Sequence, residues 1–119
     1  MTKAFALEFA KDWIDSWNSH NLDKIMEHYS EDFTIESPMA LRIMPNSKGF
    51  IAGKENVRAY WKTGLEKNPQ LNFELIDVLV GINRLTLYYS NSAANRKSVE
   101  IMRFNNNNKV DEVIVNYSE

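Results

Sequence analysis

Beyond Leu71 the chain offers four strand-like runs in succession, with no helical pattern between them. Leu71 to Val80 is one long apolar-rich run, and Gly81-Ile82-Asn83 turns the chain. Leu85, Leu87 and Tyr89 then alternate with Thr86, Tyr88 and Ser90. Asn91 to Asn95 forms a loop, and Lys97 to Phe104 and Lys109 to Tyr117 make the final pair. Strands joined by such short connections pair antiparallel, because a parallel pair needs a long crossover. Asn105 to Asn108 separates the last two runs. Asparagine tolerates the left-handed backbone of a tight turn, so this segment reads as a hairpin and not as a low-complexity tail.

The part before Leu71 carries the helical patterns. Phe5, Phe9, Trp13 and Trp17 step by four, with Ala6, Ala10 and Ile14 beside them, and Glu8, Lys11, Asp12 and Asp15 take the other side. That spacing predicts one amphipathic helix. Asn18-Ser19-His20-Asn21 breaks it, and Asn21 can cap a short second helix with the stripe Leu22, Ile25, Met26, Tyr29. Phe33 to Ser37 alternates and stops at Pro38, as a strand does. Residues 39–52 read as irregular, with Pro45, Asn46 and Gly49, and as a short hairpin or a mobile flap. Gly53 precedes a third helix with Val57, Tyr60, Trp61, Gly64 and Leu65 on one face, ended by Asn68-Pro69. The expected class is α+β: a mostly antiparallel sheet with the three helices gathered on one face. With 119 residues and no linker or repeat, one domain spanning 1–119 is expected.

Several strands are apolar on both sides. Leu71, Phe73 and Leu75 oppose Ile76, Val78 and Val80, and Val99 and Ile101 oppose Met102 and Phe104. Helices cover only one face of a sheet. A second copy of the chain is the simplest cover for the other, so a homodimer through the outer sheet face is expected.

Composition removes several function classes. Lys and Arg total 14 against 16 Asp and Glu, a net charge of -2, which builds no basic field for nucleic acid or an anionic membrane. The absence of cysteine excludes disulfides, thiolate catalysis and cysteine-ligated metal. No stretch approaches the ~20 apolar residues of a membrane span, and the opening residues lack the apolar run of a signal peptide. A soluble, cytoplasmic protein is the expectation. His20, His28, Glu27 and Glu31 fit no metal-ligand spacing, so no metal is expected. The glycines at 49, 53, 64 and 81 match no nucleotide fingerprint, and no cofactor is expected.

Trp13 to Asn18, His20-Asn21-Leu22-Asp23, Tyr29-Ser30-Glu31-Asp32-Phe33 and Ser37-Pro38 resemble the opening of nuclear transport factor 2-like domains. Gly53-Lys54-Glu55 with Arg58-Ala59-Tyr60-Trp61 resembles their third helix, and Val99 to Phe104 followed by Lys109-Val110 resembles their closing hairpin. The nearest subgroup is the SnoaL-like, polyketide-cyclase-like set. The resemblance spans roughly residues 5 to 117. It implies a cone, or cystatin-like α+β roll: a strongly curved sheet wrapped on three N-terminal helices around a central pocket. It also implies dimers joined through the outer sheet face. Members include ketosteroid isomerases, polyketide cyclases, scytalone-dehydratase-like enzymes and transport adaptors without chemistry, so fold alone does not name an activity.

The ketosteroid isomerase pattern has a helix-one tyrosine, an aspartate base after the first strand and a protonated acid on a late strand. The resemblance places these on Trp13, Ser37 and Glu100. Tryptophan cannot act as a base, and serine cannot take a proton from carbon without one beside it. That mechanism is therefore rejected. Glu100 remains the one catalytic candidate. It shares a strand face with Met102 and Phe104, where lost solvation favours the neutral carboxyl and suits a general acid or base. The alternative is a structural glutamate paired with an Arg or hydrogen-bonded to Trp13 or Tyr117. Trp13, Trp17, Tyr60, Tyr89 and Tyr117, with Ser37 and Met102, are the candidate pocket lining; plain core is the alternative for each aromatic. Ser37 has no adjacent histidine, which leaves a hydrolytic triad little support. Arg42 and Lys48 either gate the pocket, touch an anionic ligand or are solvated loop residues. The expected partner is a small apolar or aromatic molecule. The alternatives are an isomerase, cyclase or dehydratase using Glu100, and a non-catalytic protein-interaction module.

Overall fold

A computed structural model describes residues 1–118 of the chain. The first helix, α1 (Lys3–Asn18), starts where the Thr2 hydroxyl accepts a hydrogen bond from the Phe5 amide at 3.1 Å. Of the four-residue step, Trp13 and Trp17 are buried and Phe5 and Phe9 half-buried, with Ala6 and Ala10 buried beside them. His20, with φ at 58°, turns the chain out of the helix. Asn21 then caps α2 (Leu22–Met26) by accepting from the Lys24 amide at 3.2 Å.

Strand β1 (Tyr29–Glu36) begins four residues before the sequence pattern suggests, so Tyr29 opens a strand and does not close a helix. The segment expected to be irregular holds a helix, α3 (Pro38–Ile43), then a short 3₁₀ turn (Pro45–Ser47) and strand β2 (Phe50–Ala52). The local chemistry explains α3. The Ser37 hydroxyl accepts from the Met39 amide at 3.1 Å, and Pro38 occupies the first helical position, where its missing N–H costs nothing. The helices therefore number four among the described residues, not three. The last, α4 (Lys54–Lys67), follows Gly53, whose φ of 93° is open to glycine and strained for other residues.

Strands β3 (Phe73–Val80), β4 (Arg84–Asn91), β5 (Arg96–Phe104) and β6 (Val110–Tyr117) complete one six-stranded sheet in the order β2-β1-β6-β5-β4-β3. Four of its pairs are antiparallel, and β1 runs parallel to β6. Register shifts interrupt the β1–β6, β3–β4 and β5–β6 pairs. Such irregularities bend a strand and increase its local twist. The shift in β3 lies between Leu75 and Asp77 and has a second effect. One extra residue moves Val78 to the same buried side as Phe73, whereas strict alternation places them on opposite faces. Part of the two-sided apolar pattern of this strand is thus a bulge.

The free edge of β3 is tied down by side chains. The Asn18 amide donates to the Phe73 carbonyl at 2.9 Å, and its carbonyl accepts from the Phe73 amide at 2.6 Å. His20 Nε2 donates to Leu71 O at 2.8 Å, and Lys3 Nζ donates to Val78 O at 2.6 Å. These contacts supply the partners that a bare edge lacks. They also hold the two ends of α1 against the sheet.

Between sheet and helices lies an aromatic core. Trp13 stacks on Phe73 at 5.7 Å, Tyr29 lies 4.9 Å from Trp61, and Trp17 meets Trp61 edge-on at 5.2 Å. At the other end, Phe5 and Phe9 close on Phe104 at 5.6 and 4.9 Å. That plug seals one end of the sheet and leaves the end near Trp17, α3 and α4 open.

Candidate functional site

At the unplugged end lies a cavity of about 360 Å³. Its deep wall is the inner face of the sheet: Ile35, Tyr89, Ser98, Glu100, Val115 and Tyr117. Helix α4 contributes Tyr60, Trp61, Gly64 and Leu65, α3 contributes Met39, Arg42 and Ile43, and Trp17 reaches in from the end of α1. The space exists because small residues face it where large ones would fit. Ser98 stands between Tyr89 and Tyr117 in adjacent strands, and Gly64 lies in the interior of α4. Nothing in the backbone requires that glycine, which is not among the positive-φ residues. A Cβ there would meet its nearest atom, Ile43 Cδ1, at 3.9 Å, an ordinary contact.

Glu100 sits at the deep end and is 7% exposed. The alternation of β5 puts Ser98, Glu100, Met102 and Phe104 on the inner face. The Tyr89 hydroxyl donates to Glu100 Oε2. The described residues make no other hydrogen bond to this carboxyl, so its second oxygen is the group open to a guest. Burial pushes the Glu100 carboxyl up to about 7, and the Tyr89 hydrogen bond partly offsets that rise. Burial also raises the phenols of Tyr60, Tyr89 and Tyr117 above their ordinary range, so all three are neutral donors near pH 7. A proton-transfer group near neutrality, flanked by hydroxyls in an aromatic hollow, can give or take a proton at a bound molecule.

Six of the residues singled out in the sequence lie on this cavity: Trp17, Ser37, Tyr60, Tyr89, Glu100 and Tyr117. Trp13 and Met102 do not line it. Trp13 is fully buried against Tyr89 and Phe73, both of which line the cavity, and its indole N–H donates to the Tyr29 hydroxyl at 2.8 Å. Trp17 also bears on that hydroxyl, but its indole nitrogen reaches no hydrogen-bond geometry. Met102 is fully buried two residues nearer the phenylalanine plug. Neither Trp13 nor Tyr117 is the partner of Glu100; Tyr89 is. Ser37 serves α3 as its cap and lies 3.5 Å from the Tyr117 hydroxyl.

Sequence reasoning placed Trp61 and Gly64 on the inner face of the third predicted helix but did not name them as site residues. A glycine inside an otherwise helical pattern was the available signal. Arg96 and Lys67 carried none, because they belong to the cavity only once β5 and α4 are in place. Of the two flap cations, Arg42 lines the cavity, and Lys48 ends the 3₁₀ turn in a left-handed conformation. A second, more open groove of about 830 Å³ runs between α1, α2 and the β5–β6 turn, and there His28 Nε2 lies 3.0 Å from Asp12 Oδ2. Among the described residues no cluster of three or more His, Asp or Glu side chains could hold a metal, and no helix is long and apolar enough to cross a membrane.

A family profile described as the SnoaL-like domain matches residues 10–112. A solved SnoaL-like protein of unknown function from Burkholderia thailandensis is 37% identical over 99% of this chain and 98% of its own, with a TM-score of 0.94. An NTF-2 like protein of unknown function from Burkholderia xenovorans is 21% identical over 98% of this chain and 86% of its own, with a TM-score of 0.75. A SnoaL-like family member from Agrobacterium tumefaciens that carries a provisional isomerase name is 15% identical over 96% and 97% of the two chains, with a TM-score of 0.75. No curated protein matches the chain significantly.

Proposed function

Because the chain belongs to the SnoaL-like domain family of the nuclear transport factor 2-like superfamily, we propose that it binds a small, largely apolar molecule in the cavity of its cone. The observation that carries this reading is the cavity itself: about 360 Å³ of open space faced by Trp17, Trp61, Phe73 and three tyrosines, with one buried carboxyl at its end. Sites for small molecules are hollows of this size, mostly apolar, with a few polar groups that fix orientation. Gly64 supports the reading. A helix-interior glycine costs about 0.5–1 kcal/mol relative to alanine, and here it lines the cavity without serving the backbone.

A second reading is favoured by Glu100. A carboxyl held near 7 beside a donor hydroxyl is suited to isomerisation, cyclisation or dehydration, where a proton moves at or next to carbon. In that case the apolar guest is also the substrate.

The partner chain of the reading is a second copy. Outward residues of adjacent strands line up as Leu79, Thr86, Ile101 and Ile114, and as Asp77, Tyr88, Val99 and Asn116. Ile76 and Leu79 are 47% and 54% exposed. This apolar band is bordered by Arg84, Arg103, Asp111 and Glu112, whose ion pairs suit the rim of an interface.

A thermal-shift panel of steroids, polyketides and aromatic acids tests the central reading. A guest bound only by the folded chain at a hundred times its dissociation constant adds about 2.7 kcal/mol of stability. At least one class is expected to raise Tm by several degrees. A flat response across the panel contradicts the reading and favours a module that binds other proteins.

A further inference from the structure

The charged groups of the cavity are sorted by depth. Its one carboxyl, Glu100, lies at the buried end and is held by Tyr89. Three cations, Arg42, Lys67 and Arg96, line it nearer the solvent: Arg42 and Lys67 are exposed and Arg96 is half-buried. They come from three separate elements: α3, the last turn of α4 and the start of β5. Among the described residues, none of the three pairs with a carboxylate. The Arg96 guanidinium lies 5.0 Å over the Tyr117 ring, which fixes it at the rim. The charges of Arg42 and Arg96 both bear on the Tyr117 hydroxyl, as does that of Glu100 from the buried side, so Tyr117 stands between the acid and the two guanidinium groups. Like charges gathered at one opening repel each other until an anion joins them.

We propose that the guest is an amphipathic anion: a small carboxylic acid whose apolar body lies against Trp17, Trp61 and Phe73 and whose carboxylate rests among Arg42, Lys67 and Arg96. This rests on the reading of the cavity as a ligand site and adds the class and orientation of the ligand. The acid head points outward, since a carboxylate placed beside the buried Glu100 would lose its solvation and make no salt bridge there, whereas the solvent side of the cavity offers three cations. Guanidinium forks match the planar carboxylate, and Lys67 adds a point charge. The arrangement also attracts the anion from solution to the opening.

Calorimetric titration with matched pairs separates this claim from the one beneath it. The probes are naphthylacetate, phenylbutyrate and decanoate, each against its neutral amide. At least one acid is expected to bind about tenfold tighter than its amide, as charge-assisted contacts do, with the preference shrinking as salt rises. In the double variant Arg42→Gln, Arg96→Gln the acid should fall to the affinity of the amide while the amide itself is little changed. Should that variant not fold, Lys67→Gln, on the exposed last turn of α4, reads the same loss at smaller size. Acid and amide binding equally well overturns the anion and leaves the cavity reading standing. Binding by no pair at millimolar concentration overturns the anion as well, and the cavity reading is then decided by the neutral steroids and polyketides of the thermal-shift panel.

Discussion

At Glu100 two effects oppose each other. Burial raises the carboxyl and the Tyr89 hydrogen bond lowers it, and burial wins, leaving the group at about 7 against an ordinary 4.5. The folded chain therefore binds this proton more tightly than the unfolded chain. The group's favourable contribution is complete below about pH 4.5 and is lost as pH rises through about 7. The difference corresponds to on the order of 3 kcal/mol. Glu100→Gln removes this dependence. Urea unfolding of both proteins across that range is expected to show the variant gaining on the parent as pH rises and levelling off above neutrality; a constant gap contradicts the burial argument. The position of Glu100 was legible because alternation in Lys97 to Phe104 sets it on the face of Met102 and Phe104. Alternation gives the face but not the depth. Met102 has the same orientation and lies in closed core, because Phe5 and Phe9 plug that end against Phe104. Tyr89 as the partner was not legible either. It lies diagonally across β4 and β5, where Leu87 is the residue directly opposite Glu100.

Among the elements, the long ones followed their periodicity. The stripe of α1, the inner face of α4 and the three last strands are where the sequence places them, since each repeats its pattern several times. Short elements had no such redundancy. α3 spans six residues, under two turns, and its only signal was Ser37 before Pro38. The β3 bulge is a single inserted residue, invisible to an alternation count yet enough to swap faces. α4 carries the prediction at this scale. With ordinary room for a Cβ at Gly64, Gly64→Ala should stabilise the chain by about 0.5–1 kcal/mol and raise Tm by about 2–6 °C. A lower Tm by calorimetry would mean that the glycine is demanded by packing and not by open space.

For the molecule as a whole, the sheet has two faces with different fates. The inner face closes on the helices and leaves the cavity. The outer face carries the band through Leu79, Ile101 and Ile114. A dimer by light scattering, reduced to monomer by Ile101→Glu at the centre of that band, is the expected behaviour; a parent chain that is monomeric at tens of micromolar contradicts it. The general architecture was open to sequence reasoning because helices first and hairpins after allow few arrangements. The cavity volume was not, since it depends on how far α4 stands from β5 and β6. Its occupancy is the central claim. The most direct measurement takes the compound that most stabilises the parent chain and records its Tm shift again in Gly64→Leu, whose side chain fills the hollow from α4. A shift of several degrees in the parent and none in the variant is the predicted result; equal shifts in both would place the ligand elsewhere and contradict the account.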